Sequence, residues 1–249
     1  AALENLVDIY ERESDWLKAI EAHRELEVMT GEKSRQVAHY YCELAERARI
    51  KGDLDLARQH LKSSVRSVTG AFRGTVIRAA IAQEEEDFAQ ALRLYERVLE
   101  TDQRLMVEVL PQLVECYEAT NRQQELERYL EGFTAEEGDV KRNLAYAVII
   151  NDLTALPALY TCVEDFILHH DILATLLDTD HLNGLSKTER EHAILRIASG
   201  LRQLALSSAR YRCTTCGYST QRLVWHCPSC KAWETITPIQ AFQFESVVA

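Results

Sequence analysis

The sequence predicts a mainly α-helical protein, a superhelix of stacked helical hairpins followed by a small cysteine-rich domain. Three observations carry this. The 249 residues are 47% hydrophobic with only 9 Gly and 4 Pro, a composition that favours long helices over turn-rich sheet. Small and aliphatic residues recur at a nearly constant interval in the first half of the chain. Near the C-terminus, Cys213/Cys216 and Cys227/Cys230 form two CxxC pairs.

The interval is read by aligning Ala19, Ala57, Ala91 and Leu126, which lie 38, 34 and 35 residues apart. That is close to the ~34 residues of a tetratricopeptide repeat. Each anchor follows a turn: Glu13-Ser14-Asp15-Trp16, Lys51-Gly52-Asp53-Leu54, Glu85-Glu86-Asp87-Phe88 and Thr120-Asn121-Arg122-Gln123. Upstream, the first helices place Leu6, Val7 and Tyr10; Leu44, Ala45 and Ala48; Ala79 and Ala82; and Leu113, Val114 and Tyr117 at matching offsets. Downstream, the second helices continue with His23 and Leu26, Leu61 and Ser64, Tyr95 and Val98, and Leu130 and Phe133. A single hairpin cannot bury enough apolar surface, whereas a stack can, so small residues set close helix pairs and larger ones fill the next groove.

Beyond Gly138 the pattern degrades. The apolar run Leu144–Ile150 and a helix over Leu156–Leu168, with Pro157 near its start, read as a fifth, divergent repeat. Proline is tolerated there because its missing N–H has no partner in the first turn. Further helices are predicted at about 171–179 and 187–207, with Ser186 and Glu189 as a capping box for the latter. Ile194, Leu195, Ile197, Ala198, Leu201 and Leu204 would close the stack and receive the last domain. The domains are therefore 1–168 (repeats), 169–207 (helical capping segment) and 208–249 (metal knuckle). No Gly/Ser-rich linker precedes Tyr211, which predicts that the knuckle docks.

Two CxxC pairs supply a complete tetrahedral S4 shell for one metal ion, iron or zinc, with Cys213, Cys216, Cys227 and Cys230 as ligands. Gly217 after one pair and Pro228 inside the other suit tight turns whose N–H groups face the sulfurs. Four protein ligands leave no open position, so the ion is expected to be structural. Tyr211, Tyr218, Trp225 and Trp233 are expected to cover the sulfurs, with His226 outside the ligand set. The CxxCG and CPxC knuckles resemble rubredoxin, an iron protein.

The chain carries a net charge of −11. The body is acidic, which argues against a nucleic-acid surface. Residues 208–249 are slightly basic, with Arg210, Arg212, Arg222 and Lys231 against Glu234 and Glu245. Cys42, Cys116 and Cys162 sit singly in helical patterns and point to a reducing, cytosolic compartment. The first residue is not Met and lies in a patterned helix, so an N-terminal truncation is expected; no stretch approaches the ~20 apolar residues of a membrane span. His169-His170 and the Glu189/His192 pair lack converging partners and read as surface or packing groups. There is no P-loop, GxSxG, HExxH or GxGxxG pattern.

Repeats ending in YRCTTCGY…LVWHCPSCKAW resemble the lipopolysaccharide assembly protein B family of Gram-negative bacteria. The likeness extends to His39-Tyr40-Tyr41-Cys42-Glu43-Leu44 and to Ile236-Thr237-Pro238-Ile239. It implies an adaptor rather than an enzyme, one that helps the membrane-anchored protease FtsH degrade LpxC, the deacetylase that commits lipid A synthesis. It also implies an inner-membrane regulator that senses lipopolysaccharide as a partner, and a place on the cytoplasmic face of the inner membrane through an N-terminal helix missing here.

Partner residues follow from repeat offset. Glu4, Asp8, Glu11, Glu46, Arg49, Glu115 and Glu118 are placed on the first helices of the repeats, facing an acidic groove suited to a basic or mixed-charge partner. Two other functional classes stay open on the residues alone: electron transfer by a rubredoxin-like iron, and a zinc ribbon gripping nucleic acid.

Overall fold

The computed structural model of the chain describes residues 2–32, 34–67, 72–134, 139–170, 173 and 176–239. The chain forms two compact units, Ala1–Thr101 and Asp102–Ala249. This division falls inside the run of repeats.

The first unit contains three hairpins: α1 (Ala2–Glu13) with α2 (Trp16–Thr30), α3 (Gln36–Ile50) with α4 (Leu54–Ser67), and α5 (Phe72–Glu84) with α6 (Phe88–Thr101). The anchors Ala19, Ala57 and Ala91 are fully buried, as expected where paired helices approach closely. Cys42, Ala45, Ala48, Ala57, Leu61, Ile77 and Ile81 form one cluster joining α3, α4 and α5. Leu6 departs from expectation. It is 39% exposed, and its neighbour Val7 takes the buried position.

The turns explain the period. Ser14, Gly52, Glu86 and Asn121 all adopt positive φ, at 56°, 80°, 61° and 55°. In each case the following N–H reaches back to the carbonyl five residues earlier: Asp15 to Tyr10, Asp53 to Ala48, Asp87 to Ala82 and Arg122 to Tyr117, all at 2.9 Å. This is the Schellman closure, which satisfies carbonyls left orphaned at a helix end. The side chains of Asp15, Asp53 and Asp87 then accept N–H bonds from Lys18, Leu56 and Gln90, capping the next helix. Only Gly52 carries no Cβ penalty in this backbone region. Glu86→Gly should therefore raise the denaturation midpoint, by about 1 kcal/mol in stability, and Gly52→Ala should lower it similarly. Equal midpoints for both variants and the parent would remove the argument.

The second unit opens with a 3₁₀ turn (Gln103–Leu105) and continues through α7 (Met106–Ala119), α8 (Gln123–Thr134), α9 (Asp139–Asn151), α10 (Pro157–His169), α11 (Thr179–Gly184) and α12 (Lys187–Ser207). Every residue from Asn143 to Ile150 is buried, because α9 packs against α7, α8, α10 and α12. A helix covered on all sides reads as a continuous apolar run rather than a stripe. The α9–α10 turn repeats the same device, with Asp152 at φ 59° and its successor Leu153 bonded back to Val148 at 3.0 Å. Pro157 occupies the first turn of α10, and Ser186 and Glu189 form both bonds of the capping box on α12. Ile194, Ala198 and Leu201 are buried on α12, whereas Leu204 is 53% exposed. Of the helix expected at 171–179, residues 171, 172, 174 and 175 lie outside the described residues.

Pro111 sits inside α7 and removes the N–H that would bond the Val107 carbonyl. Asn151, at the end of α9, supplies the replacement: its Nδ2 donates to Val107 O at 2.8 Å and to Ala147 O at 2.9 Å. Asn151→Ala should cost about 1–2 kcal/mol by stranding that acceptor. Pro111→Ala restores the N–H, so the double variant should lose less than the two single effects summed. Simple additivity in chemical denaturation would refute the pairing.

Candidate metal centre

The last strands build a small sheet in the order β2-β1-β3, with β1 (Tyr211–Cys213), β2 (Ser219–Thr220) and β3 (Ile236–Pro238) all antiparallel. Cys213 ends β1 and pairs with Ile236, which fixes the first knuckle against the sheet. The two CxxC loops close with matching bonds. Cys213 O accepts from Gly217 N–H at 3.0 Å and Cys213 N–H donates to Tyr218 O at 2.7 Å. Cys227 O accepts from Lys231 N–H at 3.0 Å and Cys227 N–H donates to Ala232 O at 2.9 Å. Both loops need positive φ at the residue after the second cysteine. Gly217 supplies it at 77°, as its composition suggests, and Lys231 at 61°, which no residue preference announces.

All four sulfurs lie within 4.8 Å of one another. Cys213 and Cys230 are 3.7 Å apart, as are Cys216 and Cys227. These separations are far beyond a disulfide bond and match the ~3.8 Å edge of a tetrahedron with ~2.3 Å metal–sulfur bonds. The donor set therefore fits a single metal ion. Bound there, the ion supplies a structural crosslink between the two knuckles.

The protonation chemistry points the same way. The Thr235 hydroxyl, 3.2 Å from Cys213 Sγ, together with N–H groups of the loop, brings the Cys213 thiol down to about 6. The Tyr218 N–H lowers Cys216. At Cys230 the Ala232 N–H also favours the thiolate, yet crowding by Cys216, Cys227 and Cys213 pushes it up to about 12. Thiolates this close cannot all ionise without a cation among them.

Cys213 and Cys227 are buried, Cys230 half-buried and Cys216 exposed. The packing around them is Tyr211, Ile236, Leu223 and Val224. Tyr218, expected as aromatic cover, is 39% exposed, and its backbone carbonyl closes the first loop. Trp233 stacks instead on His226, with centroids 4.4 Å apart, and the two residues bridge as β partners. Thr235 was not legible as a site residue, because a threonine between Glu234 and Ile236 carries no metal signature.

The knuckle docks on the helices of its own unit. Tyr211 donates its hydroxyl to Glu108 of α7, Gln221 Nε2 donates to Leu206 O at 3.4 Å, and β3 packs by the 3₁₀ turn.

The partner residues expected from repeat offset are distributed unevenly. Glu4 and Asp8 are exposed on α1 and Glu115 and Glu118 on α7. Glu11 is buried, 7% exposed, and accepts the Tyr40 hydroxyl at 2.7 Å. Glu46 and Arg49 are half-buried and paired, with Arg49 also bound to Glu84 of the next hairpin. Glu11, Glu46 and Arg49 are thus tied into the first unit's own packing, which offset alone could not reveal. Cys42, Cys116 and Cys162 are buried, and burial raises the last two thiols to about 11 and about 12.

A family model described as a rubredoxin metal binding domain matches residues 211–238, the segment that holds all four ligands. Lipopolysaccharide assembly protein B of Escherichia coli strain K12 is 30% identical over 243 residues, covering 96% of this chain and 62% of that protein. The protein of the same name from Haemophilus influenzae is 26% identical over 246 residues, covering 96% of this chain and 61% of that protein. The chain spans about three fifths of the length of these curated relatives.

Proposed function

We propose that this chain, a relative of lipopolysaccharide assembly protein B, is a non-enzymatic adaptor in the control of lipopolysaccharide synthesis. It would promote proteolysis of LpxC by the membrane protease FtsH, through protein–protein contact. One observation carries the reading: the relationship runs over 96% of the chain, hairpins and metal knuckle together.

Physical features support the same reading. Stacked hairpins present extended surfaces suited to holding a partner segment. The metal site has four protein ligands, so its shell is complete without substrate. An inner-membrane regulator sensing lipopolysaccharide is the third proposed partner. The cytoplasmic face of the bacterial inner membrane is the proposed location. Among the described residues no helix is long and apolar enough to cross a membrane.

The test is reconstitution of FtsH in vesicles with purified LpxC, with and without this chain. LpxC should disappear faster when the chain is present, and the chain should bind LpxC in a pull-down with purified proteins. Unchanged LpxC decay together with no binding to either protein would sink the proposal.

A further inference from the structure

In the first unit, α4, α5 and α6 line an open groove of about 510 Å³, within the range of built ligand sites. Its floor is Leu61 and Ile81, each 2% exposed, and Val65 at one end is 46% exposed. The α4 residues lining it, 58, 61, 62 and 65, fall at i, i+3, i+4 and i+7. The seat therefore follows one helix for about 10 Å, or two turns.

Its charge is opposite to that of the chain. In a protein of net charge −11, the side chains lining the groove include Arg58, Lys62 and Arg78 and no carboxylate. Arg58 is already engaged by Asp55 and Glu85. Lys62 and Arg78 have no carboxylate partner among the described residues. Arg78 donates only within its own helix, to Gly74 O and Thr75 Oγ1, both at 3.1 Å.

We propose that this groove is a docking site for an acidic amphipathic helix of a partner protein. Two apolar side chains spaced by one turn would enter over Leu61 and Ile81, and flanking carboxylates would meet Lys62 and Arg78. Charge complementarity selects an anionic occupant. The two-turn length along α4 selects a helix, whose anchors recur at that spacing. Among the described residues no aromatic ring lines the seat, which disfavours a stacked nucleobase. The site holds whether or not the chain delivers LpxC to FtsH.

The experiment is a selection of displayed 14-residue helices against the whole chain. The helices carry two leucine anchors flanked by acidic, neutral or basic positions. The same selection is run on a Lys62→Glu/Arg78→Glu variant and on a Val65→Glu variant, all substitutions at exposed side chains whose folding is checked by circular dichroism. Enrichment of acidic helices that bind the parent chain and lose about tenfold or more in affinity on the charge-reversed variant supports the site. Enrichment of neutral or basic helices, binding that persists on both variants, or no enrichment overturns it. Displacement of the selected helix by oleate, with oleate binding the parent more tightly, would assign the groove to an anionic amphiphile and also overturn it.

Discussion

Cys213→Ser is expected to unfold the C-terminal knuckle while leaving the helical units folded. The reason is size. The matched segment, residues 211–238, is well below the length at which a chain buries enough surface to fold without a staple. Its apolar cluster holds only Tyr211, Cys213, Cys227 and Ile236 as buried members, and two of those are ligands. A structural tetrathiolate ion contributes about 10–16 kcal/mol of apparent binding energy, which appears directly as folding energy. Removing one thiolate, or withdrawing the ion with a chelator, should therefore release β1, β2 and β3 together. Two of the three tryptophans, Trp225 and Trp233, lie in this segment, so indole emission and limited proteolysis between 208 and 239 should report the loss. Far-UV circular dichroism should change little, because the helices do not depend on the ion. A protease-resistant knuckle in the Ser variant, or chelator-insensitive tryptophan emission, would contradict the crosslink.

Glu43→Met should destabilise the first unit by up to about 3–5 kcal/mol. Glu43 on α3 accepts from Arg73 at the start of α5, at 2.6 Å. Their side chains are 25% and 4% exposed, respectively. The asymmetry decides the outcome. Removing the carboxylate takes an ion-pair partner from a guanidinium that is almost wholly buried, whereas Arg73→Met leaves a carboxylate that water still reaches. Arg73→Met should therefore be the milder of the two, and the double variant should recover much of the loss, as a buried ion pair replaced by apolar side chains often does. A typical domain has only ~5–15 kcal/mol of net stability, so Glu43→Met should bring the first unit near its unfolding threshold. Urea denaturation of the two single variants and the double variant checks this, and equal destabilisation by both single changes would show that exposure does not govern the cost.

Much of the architecture is written locally. The spacing of Ala19, Ala57, Ala91 and Leu126 is the spacing of the turns at Ser14, Gly52, Glu86 and Asn121. One Schellman closure per hairpin enforces both. The capping box at Ser186 and Glu189 and the proline at the start of α10 were equally visible, because caps depend on residues three or four apart. The metal ligands were legible for a different reason. Few functions require four cysteines at that spacing, and the sulfurs meet within 4.8 Å.

The partner surface was not legible in the same way. Repeat offset says which face of a helix a residue occupies, but not which neighbour has already claimed it. Glu11 and Tyr40 are 29 residues apart in sequence and bonded in the structure. Arg49 and Glu84 lie on different hairpins and are paired. Charge composition misled locally as well, since an acidic chain folds with Lys62 and Arg78 beside one apolar groove.

Sequence by itself determined the hairpin period, the places of the turns that set it and the identity of the four thiolates, because each depends on neighbours along the chain. Only the tertiary structure decided that Asn151 completes the helix interrupted by Pro111, that Glu11 is an internal acceptor, and that the knuckle rests on α7 through Tyr211 and Glu108. Those contacts join residues far apart in sequence. Their energies come from desolvation and from hydrogen bonds that exist only once the helices have packed.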